Sequence, residues 1–404
     1  MILNGYLMVD DGEGRSQLRF GTIRLDGERI ASVELSDVEP ADLSRRHCVI
    51  CPGFVDAHLH LPQFGIIGAH GRPLLNWLNE VTFPAEEAWS DKNRAAAQTS
   101  LALDRLVASG TTAFAAFATV HHDAAKTALQ LADERGFRAT IGQVLMDQYA
   151  PRSLCRPAEQ LLDEANQLGN LFPPTGRVAA AVSPRFALSC SAQLLSGAGR
   201  LASEQGAVMQ THLAETQAEC DQVREVFEKS YVDVYRDAGI LTSRTLFGHG
   251  IYLDSADRAQ LAKAHSKIVH CPTANDFLNS GAMDWQALRE SSIALAIGSD
   301  IGAGYETSMV RVAREMILTA SRLTGASPSA AEAWYAITTG NAKALGWSDA
   351  GQLTPGSTAD LVVIRPEIDW LSPEVDPLKR MLFAWDDRWI DQVLLRGKTA
   401  FSRC

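Results

Sequence analysis

The chain has 404 residues, 46% of them hydrophobic, with 48 acidic against 37 basic residues and a formal net charge of −11. This size and apolar share suit a globular enzyme with a large core. The acidity, and the lack of any basic run, exclude a nucleic-acid polymer as partner and favour a small neutral or cationic molecule.

From the N-terminus, Met1-Ile2-Leu3-Asn4-Gly5-Tyr6 lacks a basic segment followed by an apolar signal region. Nowhere do eighteen apolar residues run together, so the expected setting is cytoplasmic with no membrane contact. Residues 1–50 alternate polar and apolar positions, as in Gly21-Thr22-Ile23-Arg24-Leu25-Asp26, and predict a small antiparallel sheet with turns at Asp11-Gly12 and Asp26-Gly27. Cys48-Val49-Ile50-Cys51 has redox-motif spacing, but its β-branched run predicts two buried strand thiols. The seven cysteines are scattered and odd in number, unlike a disulfide framework.

The next apolar run, Pro52-Gly53-Phe54-Val55-Asp56-Ala57-His58-Leu59-His60, ends in a His-x-His. Strand residues two apart share a face, so both imidazoles can grip one metal ion; the alternative is two polar residues where a strand meets solvent. Further strand-like runs lie near 111–118, 137–145, 177–183, 207–212, 245–249, 267–270 and 293–299. Helical stretches at 93–109, 124–135, 158–168, 193–205, 218–238 and 255–264 separate most of them. Eight strand-helix units predict an α/β fold, a (β/α)8 TIM-like barrel over residues 51–346, with its chemistry at the C-terminal strand ends. His58, His60, His212, His249 and Asp300 all fall at such ends and form the candidate ligand set. The tail, 347–404, carries turn-plus-strand units at 353–364 and 390–398. They are expected to pair with residues 1–50 into one small discontinuous β domain formed by both chain termini.

The metal pattern resembles the amidohydrolase superfamily. Within it, several segments are similar to the guanine deaminase family: Leu74-Leu75-Asn76-Trp77-Leu78 through Thr82-Phe83-Pro84-Ala85-Glu86, Phe117-Ala118-Thr119-Val120-His121, Ser183-Pro184-Arg185-Phe186, His212-x-x-Glu215 and His270-Cys271-Pro272. They span most of the barrel. One departure is Asp276, where that family more often has an apolar residue.

Neutral imidazoles plus a carboxylate suit one Zn²⁺ per chain, with iron or manganese fitting a similar donor set; such a site makes hydroxide available at neutral pH. The Pro-Cys-x-x-Cys of the other zinc deaminase class is absent. The resemblance implies hydrolytic deamination of guanine to xanthine and ammonia. Glu215 would protonate the ring nitrogen beside the attacked carbon, and Asp300 would take the water's proton and pass it toward the leaving amine. The alternative for Glu215 is a helix N-cap or surface carboxylate. Arg185 is the candidate reader of guanine O6 and N7. By the resemblance, Phe186 packs on the ring face and Gln63 reads a ring edge. For these the alternatives are a rim salt bridge for Arg185 and a solvated Gln63.

His270, ending strand seven, is either a partner for a metal-bound or product oxygen or a structural residue, and His47 and His265 are surface or packing residues. Trp89, Trp334 and Trp385 are core or interface residues, while Trp77 is a candidate pocket wall. A homodimer is the expected assembly. Two other functions stay open: a hydrolase of a different heterocycle, such as 8-oxoguanine, a pterin or a triazine, and a non-catalytic scaffold on the same fold.

Overall fold

The computed structural model describes residues 1–36 and 48–403; the role expected of His47 falls outside them. Four strands open the chain: β1 (Ile2–Asp10), β2 (Ser16–Asp26), β3 (Arg29–Leu35) and β4 (Val49–Pro52). The next eight are β5 (Phe54–His60), β6 (Thr111–Phe117), β7 (Arg138–Leu145), β8 (Val178–Pro184), β9 (Met209–Leu213), β10 (Thr245–His249), β11 (Lys267–His270) and β12 (Ala294–Ile297). Three close the chain: β13 (Leu361–Ile364), β14 (Ile390–Leu395) and β15 (Lys398–Ser402).

Strands β5 to β12 pair in sequence order into one parallel sheet. Every residue of β5, β6 and β8 is buried, which explains their largely apolar sequences: in a barrel, one face meets the interior and the other meets helices. The seam between β12 and β5 is closed by Asp300 N–H donating to His58 O (2.8 Å) and His60 N–H donating to Ile301 O (2.8 Å). Asn341 reinforces it. Its amide donates to Val55 O and Ile297 O, both at 2.7 Å, and its Oδ1 accepts from Ile297 N–H at 2.9 Å. The predicted barrel is thus present.

Helices follow the expected segments, with one correction. The stretch 218–238 is two helices, Gln217–Phe227 and Tyr231–Asp237, because Glu228 turns left-handed (φ +56°) and Ser230 caps the second by accepting from Asp233 N–H. The crossover from β5 to β6 also differs from a simple helix. Short helical turns cover residues 61–66 and 74–90, including the family-like segment 74–86, before the long helix Lys92–Ala108.

The second sheet has the order β15-β14-β13-β4-β1-β2-β3. Its two N-terminal hairpins turn at the Asp-Gly pairs, and β4 bridges the chain ends, parallel to β1 and antiparallel to β13. Residues from both ends therefore share this sheet, which takes in the chain through Pro52. Cys48 and Cys51 are buried free thiols there. Trp89, Trp334 and Trp385 lie in the buried core between sheet and barrel. No helix among the described residues is long and apolar enough to cross a membrane.

Candidate active site

His58 and His60 project into the barrel because they occupy alternate positions of β5, while Leu59 between them packs outward into the core. His212 lies on β9, His249 ends β10, and Asp300 follows β12; the last two adopt left-handed backbone (φ +71° and +50°), which turns the chain at the barrel mouth. Room for this convergence comes from two glycines. A Cβ on Gly298 would lie 2.6 Å from His58 Cβ, and one on Gly248 would lie 2.8 Å from His58 Cε1.

One donor atom from each of His58, His212, His249 and Asp300 lies within 4.8 Å of the others. His60 joins them: its Nε2 is 3.1 Å from His212 Nε2 and 3.3 Å from Asp300 Oδ1. His58 Nε2, also 3.3 Å from Asp300 Oδ1, completes no hydrogen bond although it is buried. Burial holds His58 and His212 below the usual imidazole range and pushes His60 down to about 3. Burial would raise Asp300, but the imidazoles of His58 and His60, each 3.3 Å from its Oδ1, together with His249, hold it well below the usual carboxylate range. Burial would lower His249 as well, but the carboxylates of Glu215 and Asp300 raise it; three neutral imidazoles and this fourth one around a carboxylate fit a bound cation. Partners behind them fix the tautomers: His212 Nδ1 bonds Arg185 O (2.6 Å), and His249 Nδ1 bonds Asn275 Oδ1 (2.8 Å). Asp56 orders the seam below, accepting from the backbone N–H of His58 (3.2 Å) and Ser299 (3.0 Å).

Glu215 sits beside the cluster, its Oε2 3.4 Å from His249 Nε2. It is 4% exposed, and the N-cap of the following helix is Thr216, so it is neither a surface carboxylate nor the cap. Ser280 donates to its Oε1 (2.8 Å), and its backbone N–H donates to Glu219 Oε2 (2.9 Å). Burial, aided by Asp300 and Glu219, pushes its carboxyl up to about 7.

Above the donors is a small cavity of 30 Å³ whose wall includes Gln63, Trp77, Arg185, Phe186 and Glu215. Leu74 and Leu278 separate it from an outer cleft of 480 Å³. Gln63 is buried rather than solvated: its Nε2 donates to Glu86 Oε1 (3.1 Å), and its Oε1 accepts from Gly302 N–H (3.1 Å). Arg185 does form a salt bridge, but a buried one facing the cavity, with Nη1 donating to Glu86 Oε1 at 2.6 Å.

The structure also adds residues to which the sequence assigned no role: Glu86, Asn275, Asp56 and Glu219. Glu219 alone carried a readable local signal, the Thr216-x-x-Glu219 capping box. Asp276 stays outside the pocket, in a surface ion pair with Arg322. His270 also stands apart. It pairs in register with Ile297 and lines a different cavity from the one above the donors.

The chain's relationships agree with this geometry. A guanine deaminase from Escherichia coli (strain K12) is 33% identical over 88% of this chain and 83% of its own length. Among solved structures, E. coli guanine deaminase superposes with a TM-score of 0.92 at 29% identity, covering 100% of both chains. The guanine deaminase from C. acetobutylicum with guanine bound in the active site gives 0.90 at 28% identity, covering 99% of both. With residues 49–400 matching the family model described as Amidohydrolase family, the chain belongs to the amidohydrolase family.

Proposed function

We propose that this chain deaminates guanine by hydrolysis, giving xanthine and ammonia. The observation that carries the reading is the buried donor cluster directly beneath a cavity walled by Arg185, Gln63 and Phe186. The guanine deaminase relatives support the choice of ring. His58, His60, His212, His249 and Asp300 hold one Zn²⁺, or Fe²⁺, per chain. A divalent ion in such a donor set supplies hydroxide at neutral pH.

The protein's own groups do the rest. Arg185, pinned through Nη1 by Glu86, presents its remaining donors to O6 and N7 of the ring. Gln63, fixed by Glu86 and Gly302, reads a ring edge, and Phe186 covers a ring face. Glu215 delivers a proton to the ring nitrogen next to the attacked carbon. Asp300 accepts the proton of the attacking water and returns it toward the amine, so a C–O bond forms, the C–N bond breaks and ammonia leaves.

Residues 51–346 are the proposed catalytic barrel, and 1–50 with 347–404 the proposed β domain. A cytoplasmic homodimer completes the proposal; the free cysteines of the described residues fit a reducing compartment. The decisive experiment incubates metal-loaded protein with guanine, adenine, 8-oxoguanine, a pterin and a triazine and reads ammonia. Guanine should be turned over and adenine should not. Preferred turnover of another ring would overturn the reading.

A further inference from the structure

His270 is the one histidine of the strand ends that the proposed chemistry leaves unused. It is 1% exposed, and neither ring nitrogen has a hydrogen-bond partner among the described residues. Paired strand residues in a parallel sheet share a face, so His270 lies on the side of Ile297, and Ile268 on that of Leu295. His270, Leu295 and Ile297 line a cavity of 270 Å³ outside the barrel. The cavity shares no lining residue with the metal-side pocket.

Its apolar lining comprises Met283, Ile293, Leu295, Ile297 and Met316 beside His270. Its rim is polar and aromatic. The Arg289 guanidinium lies 5.0 Å from the Trp285 ring centre, and its Nη1 is 3.1 Å from Glu332 Oε1. A dry cavity of about 150 Å³ suffices for benzene, so the volume here admits a bicyclic ring. Burial holds the imidazole neutral, leaving one donor and one acceptor nitrogen at the end of an apolar slot.

We propose that this cavity is a second binding site, for a small planar aromatic or heteroaromatic molecule that carries one hydrogen-bonding group to meet His270. The apolar walls supply burial of the ring, and the open ring nitrogens select for a polar edge.

The test uses the metal-loaded full chain and two probes of the same shape, indole and indene, of which only indole has an N–H. Binding is read by saturation-transfer NMR and calorimetry. Saturable indole binding, at least fivefold tighter than indene, is expected. Met316→Trp, which fills the slot, should abolish binding of both probes, and Leu295→Phe provides a milder filling should that variant fold poorly. His270→Leu should remove the preference for indole while indene still binds. Guanine turnover and metal content should be unchanged in all three variants. Absence of saturable binding, equal affinity for the two probes in the unaltered protein, or undiminished binding in both filled variants would overturn the proposal.

Discussion

Arg185→Ala tests two consequences of one side chain. Arg185 and Glu86 are 3% and 0% exposed and joined at 2.6 Å, so truncating the arginine leaves a buried carboxylate without its partner. Breaking such a pair costs about 3–5 kcal/mol. The lower end is expected here, because burial already raises the Glu86 carboxyl even beside Arg185, and without it the group takes up a proton. Gln63 still donates to it. Catalysis should suffer separately. A hydrogen bond from a charged group contributes about 1.5–3 kcal/mol, or roughly 10- to 10²-fold in kcat/KM for guanine. The two effects part in the double variant Arg185→Met/Glu86→Gln, which removes both charges: thermal stability should largely return, and guanine turnover should not. The assay is xanthine formation by ultraviolet absorbance, beside thermal unfolding and metal content. Full guanine activity in Arg185→Ala, or its recovery in the double variant, would refute the contact between Arg185 and substrate.

Further expectations follow from the same site. His58→Ala and His249→Ala should lose both metal, read by elemental analysis, and activity; full turnover by metal-free protein would contradict the donor assignment. Glu215→Gln should keep its metal and lose about 10²–10⁴-fold in turnover, the usual scale for a proton carrier; loss of metal would make Glu215 a ligand. As a donor raised to about 7, Glu215 is loaded below that pH and empty above it, so kcat should fall as pH rises through about 7 at constant metal occupancy. Asn341→Leu strands two strand carbonyls and one N–H at the barrel seam and should cost about 3–5 kcal/mol in unfolding free energy. A loss under about 1 kcal/mol would mean the seam holds without it.

The strand positions were readable because buried parallel strands are mostly apolar runs, and a ligand at a strand's end marks itself by where that run stops. His58 and His60 needed only the two-residue period. The partners that orient the donor residues and the seam were not readable in this way. Asn275 reaches His249 from 26 positions away and Asp56 meets Ser299 across the seam, distances set by the curvature of the barrel and not by any local pattern. His270 shows a finer limit: its strand was located, but which face it takes depends on register against Ile297, and a one-residue offset reverses it. The break at Glu228 was hidden because charged residues continue the helical pattern through it, although Ser230-x-x-Asp233 marks the restart.

The pairing of β4 between β1 and β13 has a kinetic side. During synthesis, Val49–Pro52 emerge with one edge already able to meet β1, while the other waits until Leu361–Ile364 are made. For nearly the whole of translation that edge offers unpaired N–H and C=O groups, the template on which foreign strands dock. Contacts so remote along the chain form slowly even once both partners exist. Expression yield should therefore respond more to changes in residues 361–402 than to changes in the catalytic cluster. Aggregates of chains cut short before β13 should be rich in intermolecular sheet while their barrel helices persist.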